Sequence, residues 1–143
     1  MMILPPPTNA QYQGRLWACI PLALVALQSF IGGTVHVVLP DSGLISVAGL
    51  NVFHEGGLQM IRMAARLGAT QVAYALVLAF IVLRHRNLTL PFLVLAVVEK
   101  SLIGLSTLLK PTGSDDMPPG IYATIILLAL CLLAVYGARP KSN

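Results

Sequence analysis

The chain has 143 residues, of which 57% are hydrophobic and 10% are charged. A soluble domain carries roughly 25% charged residues, and a globule this small leaves much of its surface in water, so a single soluble core does not fit this composition. The net charge is only +4 and the basic residues are dispersed, which argues against nucleic acid as a partner. The composition predicts an integral membrane protein.

Four apolar windows are long enough to cross a hydrocarbon core about 30 Å thick, which needs roughly 20 helical residues. They span approximately residues 16–39, 64–83, 88–109 and 120–138. Trp17 and Pro40 mark the ends of the first window, where interface residues and helix stops are expected. We therefore expect an all-α membrane protein of one domain, residues 1–143, with four transmembrane helices in an up-down bundle.

The connections between these windows differ in character. Residues 84–87 form a tight turn, which requires the second and third spans to be antiparallel neighbours, and residues 110–119 form a polar loop. Residues 41–63 are half apolar, contain four glycines and enter the second span without a polar break. We expect an interfacial or partly re-entrant segment there.

The distribution of Lys and Arg predicts that both termini lie on the cytoplasmic side. The basic residues assigned to this side are Arg15, Arg84, Arg86, Arg139 and Lys141. The expected location is the plasma or inner membrane of a bacterium, or an endomembrane of a eukaryote. The N-terminus lacks a basic region followed by a short apolar core and a small-residue cleavage site, so we expect no cleaved signal peptide.

Polar side chains at membrane depth are the main functional signal. Glu99 and Lys100 lie in the middle of the third window, where an uncompensated charge costs about 2.5–3.5 kcal/mol. Gln28 and Gln71 fall at a similar depth if each helix rises about 1.5 Å per residue. Further polar residues in the outer half of the membrane are His36, Arg62 and Arg66. Together these residues predict a polar funnel that opens to the outer side and is floored by Glu99.

The pairing of these charges can be predicted from helix geometry. Adjacent residues point about 100° apart, so Glu99 and Lys100 are not expected to pair face to face. Arg66 is the expected partner of Glu99, because a guanidinium can grip a carboxylate with two hydrogen bonds and stays charged when desolvated. Lys100 is expected to line a subunit contact, to extend its stem toward the interface, or to be neutral in a buried site.

Three functions are compatible with this pattern. In the first, which requires the fewest assumptions, the protein is an accessory or assembly subunit of a larger membrane system. Its charged side chains then only form contacts between helices. In the second, it is a membrane enzyme for an isomerase, cyclase or oxygenase type of step on a lipophilic substrate. Glu99 would then be the acid/base, Arg66 would hold an anionic group and His36 would relay protons. In the third, it is a proton-coupled exporter that uses Glu99.

The remaining expectations concern binding. The residues expected to contact a substrate are Gln28, Arg62, Gln71 and Lys100. No metal and no cofactor is predicted, because the sequence has no HExxH motif, cysteine cluster, histidine pair at metal spacing or glycine-rich phosphate loop. The expected partners are the lipid bilayer, a lipophilic small molecule, and either further copies of the chain or a larger membrane complex.

Small residues inside the windows have a structural interpretation. Gly32 and Gly33, together with Gly68 and Ala69, are expected to let two helices approach closely, as small residues do in lipid. Cys19 and Cys131 both fall inside apolar runs and are interpreted as small membrane-buried hydrophobes.

The second span carries a family resemblance. Its opening Arg66-Leu67-Gly68, the apolar run that follows and the stop at Arg84 resemble the DoxX-like group of small four-helix membrane proteins. The resemblance implies four spans in a bundle, and it implies no activity. Glu99 and Lys100 and the long glycine-bearing first connection have no counterpart in that pattern.

Overall fold

The computed structural model describes residues 4–110 and 119–140. Within these ranges the chain contains no strand and forms four long helices, α1 Cys19–Val38, α2 Gly57–Arg84, α3 Thr89–Leu109 and α4 Pro119–Gly137. Short 3-10 turns occur at Asn9–Gln11, Leu16–Ala18 and Arg86–Leu88. All four helices are long and apolar enough to cross a membrane. The predicted all-α class and the four spans are confirmed, whereas the up-down order stays a prediction.

The second helix is longer than the sequence predicted. It begins at Gly57, where Gly56 adopts a left-handed φ of 90°, so residues 57–63 belong to the helix and not to the preceding segment. Its 28 residues rise about 42 Å, which exceeds the roughly 30 Å of a hydrocarbon core. The first turns of α2 therefore extend past the apolar layer if Arg84 marks its other edge.

The segment after α1 is ordered by one carboxylate. Leu39, which precedes Pro40, has an extended ψ of 140° and ends the helix, as expected before a proline. Asp41 then accepts hydrogen bonds from the backbone amides of Gly43, Ile45 and Ser46 at 2.7–3.0 Å. These bonds, that of Ser46 first, lower the pKa of the Asp41 carboxyl to about 2. The predicted re-entrant position of this segment stays a prediction for the residues before Gly57.

The bundle consists of two helix pairs joined through α1. Helix α1 packs along α2, α3 packs along α4, and α1 also contacts both members of the second pair, whereas α2 and α3 touch only sparsely. The core contains buried side chains from all four helices. Its largest fully buried members include Leu22, Leu78, Leu93 and Cys131.

Close approach of α1 and α2 depends on two glycines. A Cβ atom at Gly33 would lie 2.7 Å from the carbonyl oxygen of Gly68 and 2.9 Å from the backbone nitrogen of Val72. Because these are backbone atoms, they cannot move without separating the helices. The predicted role in helix packing is confirmed for Gly33 and Gly68. It is wrong for Gly32, where a Cβ atom would have its nearest neighbour at 3.7 Å.

The N-terminal segment joins one end of the bundle. The amide of Thr8 donates to the carbonyl of Arg84 at 2.8 Å, and the amide of Arg15 donates to the carbonyl of Gly137 at 2.9 Å. The segment before α1, the turn after α2 and the end of α4 therefore lie together, with Arg15, Arg84, Arg86 and Arg139. Lys141, most of the predicted loop 110–119 and its two aspartates lie outside the described residues, and the cytoplasmic orientation of this end stays a prediction.

Candidate functional site

The centre of the bundle holds a buried lysine. Lys100 is 2% exposed, and its Nζ donates to Oε1 of Gln28 at 3.1 Å and lies 3.4 Å from Oε1 of Glu99. Gln28 and Lys100 lie near the midpoints of α1 and α3, far from either helix end. A polar contact between two helices is thus formed at the depth where water is least available.

The pairing of Glu99 with Lys100 corrects the prediction that these neighbours could not meet. Their Cα–Cβ bonds do diverge, but the four-carbon stem of lysine is flexible enough to bring its ammonium back across the helix surface. The ammonium of Lys100 therefore binds partners inside the bundle. Glu99 accepts its hydrogen bond from a residue of its own helix instead of from α1 or α2. The expected shelter of Glu99 is only partial, because Oε2 is enclosed while the side chain as a whole is 32% exposed.

Two residues of this centre were missed by the sequence interpretation. Tyr74 of α2 and Cys131 of α4 both lie within electrostatic range of Glu99, and Cys131 also of Lys100. The hydroxyl of Tyr74 and Oε2 of Glu99 are enclosed and have no hydrogen-bond partner among the described residues. The available signal was that Tyr74 lies inside its apolar window and not at an interface, where belt tyrosines belong.

Arg66 is not the partner of Glu99. Arg62 and Arg66 are both exposed on α2, and neither forms an ion pair within the part of the chain that the structure describes. The reason is the length and packing of α2. Counting roughly 20 residues back from Arg84 puts Arg66 at the edge of the apolar layer, and α2 hardly touches the helix that carries Glu99.

The other predicted polar residues form a separate group near the end of α1. Nδ1 of His36 donates to the carbonyl of Ser42 at 2.7 Å, which requires the proton on Nδ1 because a carbonyl oxygen only accepts. Oε1 of Gln71 lies close to Gly32, where a Cβ atom would be 3.7 Å away. His36, Gln71 and the two α2 arginines form no hydrogen bond or ion pair with Glu99 among the described residues, so the structure does not assemble the predicted funnel.

A groove runs beside the buried lysine, between α1 and α4. Its volume is about 590 Å³, and one wall includes Gln28, whose amide oxygen accepts from Lys100. The other lining side chains are apolar, among them Leu24, Leu27 and Ile31 of α1 and Ala123, Ile126 and Leu130 of α4. A second groove of about 300 Å³ between α1 and α2 has only apolar lining residues, including Phe30 and Leu76.

The described residues contain no group of three or more His, Cys, Asp and Glu side chains that could hold a metal ion. No family model, curated protein or solved structure matches this chain. The resemblance to DoxX-like proteins stays a prediction. The fold and the intramembrane site define the class: a small four-helix membrane protein with a buried lysine–glutamate–glutamine centre.

Proposed function

We propose that this chain is an accessory or assembly subunit of a larger membrane system. The observation that carries the proposal is the different burial of two adjacent charged side chains. Lys100 is enclosed and bonded on two sides, while Glu99 beside it remains 32% exposed at membrane depth. A charged side chain that is partly open to lipid is costly, by about 2.5–3.5 kcal/mol when uncompensated. The donor Lys100 offsets this cost in part, and a partner helix that covers the exposed part of the Glu99 side chain would offset more of it.

The packing of α3 supports the same proposal. Among the four spans, that of α3 has the smallest buried share and that of α1 the largest. Its outer face carries exposed apolar side chains beside Glu99, namely Val94, Leu95, Val98 and Leu102. In lipid, helices associate through close packing and interhelical hydrogen bonds, not through a hydrophobic driving force. An apolar face bordered by one partly exposed carboxylate side chain suits a partner helix that packs on the face and covers that side chain.

Site-specific photo-crosslinking in the native membrane tests this proposal. A photoreactive amino acid at Leu102, about one turn beyond Glu99, is expected to cross-link to one distinct membrane protein. The same group at Leu133, an exposed position on α4, serves as the matched control. Replacing Glu99 with Leu should abolish the Leu102 adduct, and Arg66→Ala should leave it unchanged.

Other outcomes of these experiments would refute the proposed subunit role. If the Leu102 derivative reacts only with lipid, or reacts equally in the Glu99→Leu background, α3 is not an assembly surface. A chain that purifies from its own membrane in mild detergent without any stoichiometric partner would also refute the subunit role.

The enzyme alternative has less geometric support. Its three expected catalytic residues, Glu99, His36 and Arg66, are not brought together by the described part of the chain. The exporter alternative requires a carboxylate free to exchange a proton along a transport path, and Oε1 of Glu99 is instead paired with the ammonium of Lys100 at 3.4 Å. The assembly role needs neither a catalytic triad nor a titrating group.

A further inference from the structure

The groove between α1 and α4 contains one polar group with a defined orientation. The ammonium of Lys100 can only donate, so the atom of Gln28 at 3.1 Å must be the amide oxygen. This contact fixes which way the amide points, an assignment that is otherwise ambiguous for glutamine. The NH2 group is left as a donor, and it forms no hydrogen bond with the described residues. Gln28 also lines the groove, so this NH2 is the polar group that the groove can offer a ligand.

The volume and the lining of this open groove suit a small lipophilic molecule. Its volume of about 590 Å³ lies within the roughly 300–1,000 Å³ typical of ligand pockets, which are mainly apolar and carry few oriented polar groups. Apart from Gln28, the lining side chains are aliphatic or absent, as at Gly32 and Gly120. The all-apolar groove between α1 and α2 lacks any such group and offers nothing to orient a ligand.

From this arrangement we infer that the α1–α4 groove binds an uncharged lipophilic carbonyl compound, whose oxygen accepts a hydrogen bond from the amide of Gln28. The positive charge of Lys100 is offset by Glu99, so the centre behind Gln28 has no net charge with which to attract an anionic head group. The hydrogen bond that Lys100 gives to Gln28 polarises the amide and strengthens its NH2 as a donor. The ligand enters laterally from the hydrocarbon layer.

The depth of Gln28 separates this ligand from ordinary phospholipid. Gln28 lies near the middle of α1, and the membrane surface is about 15 Å away on either side of the midplane. The ester carbonyls of bilayer lipids lie at that surface, so their apolar tails alone reach Gln28. A molecule dissolved in the centre of the bilayer can present a carbonyl there.

The test uses the purified full-length chain in nanodiscs and the photoreactive ketone 4-hexylbenzophenone. Its carbonyl accepts hydrogen bonds and, on illumination, inserts into nearby C–H bonds, so mass spectrometry locates the bound probe. Saturable labelling is expected on the groove-facing parts of α1 and α4. The non-photoreactive competitor 4-hexylacetophenone should suppress it, whereas 4-hexyldiphenylmethane, which lacks the carbonyl, should not.

Two variants test separately the hydrogen-bond donor and the space in the groove. Gln28→Met keeps the length of the side chain and removes the donor, and it should weaken binding about tenfold, the equivalent of roughly 1.4 kcal/mol. Ala123→Phe fills the groove without touching the polar centre and should abolish saturable labelling. Ala129→Phe, at an exposed position of α4 that does not line the groove, is the matched control and should bind normally.

Labelling that spreads evenly over lipid-facing positions, or equal competition by the hydrocarbon, would overturn the inference. Binding that is unchanged in Gln28→Met would do the same. Should Gln28→Met fail to fold, the Ala123 and Ala129 variants decide: normal binding by Ala123→Phe refutes the site. Because the α3 face takes no part in this binding, failure here leaves the proposed assembly role intact, and the converse also holds.

Discussion

Replacing Gln28 with Met should destabilise the bundle by removing the hydrogen bond between α1 and α3. The bond is 3.1 Å long, and its donor is the ammonium of Lys100, a residue that is 2% exposed. A hydrogen bond to a charged group contributes about 1.5–3 kcal/mol in water-soluble proteins. Interhelical hydrogen bonds in membranes average about 0.6 and reach about 1.7 kcal/mol. Since the donor is charged and enclosed, we expect a loss near the upper end, about 1.5 kcal/mol.

A double-mutant cycle isolates the contact. Lys100→Met should cost more than Gln28→Met, about 3 kcal/mol, because it leaves the Glu99 carboxylate without its donor as well. In the Lys100→Met background, Gln28→Met no longer leaves a buried ammonium without its hydrogen-bond acceptor. The double variant should therefore cost about 1 kcal/mol less than the sum of the two single variants.

The free energy of unfolding can be measured by reversible unfolding in mixed micelles with increasing SDS, followed by circular dichroism. Gln71→Met is the matched control, since Gln71 is a half-buried glutamine on α2 that does not contact the lysine, and it should change stability by less than about 0.5 kcal/mol. Costs that add within about 0.3–0.5 kcal/mol would show that Gln28 and Lys100 are not coupled, and the polar centre would lose its structural role.

Two further predictions follow from local geometry. Gly33→Ala should destabilise the protein by about 1–3 kcal/mol, because the new methyl would meet the backbone of α2 at 2.7 Å. At Gly32 the nearest neighbour of a new methyl is 3.7 Å away, so Gly32→Ala should stabilise the protein by about 0.5–1 kcal/mol through helix propensity. Equal effects of the two variants in the same unfolding assay would contradict the close approach of α1 and α2. The loop held by Asp41 should open in acid: a folded pKa of about 2 against an ordinary 3.8 means that its stabilisation is present above about pH 4 and lost as the pH falls through 2. Hydrogen exchange at the Ser46 amide, corrected for intrinsic rates, should rise over that window. Asp41→Asn should show fast exchange already at neutral pH, and an exchange rate independent of both pH and this substitution would refute the assignment.

The sequence by itself determined the membrane class and the spans. Four apolar windows long enough to cross the membrane are expected to form transmembrane helices, since a helix satisfies every backbone polar group of a segment that lies in lipid. The predicted bounds of the first, third and fourth spans lie close to α1, α3 and α4. The structure starts α2 earlier than the predicted second span, because the glycine-bearing residues 41–63 were all assigned to an interfacial segment. Gly56, with its positive φ, instead directly precedes the helix.

The tertiary structure alone decided which polar groups meet. Hydropathy gives the depth of a residue along its helix but not the rotation of that helix or its neighbours. Arg66 was therefore the expected donor for Glu99, and Lys100 was not. Packing excluded Arg66, because α2 lies along α1 and hardly contacts α3. The reach of the lysine stem, which no helical projection shows, allowed two adjacent residues to pair and oriented the amide of Gln28.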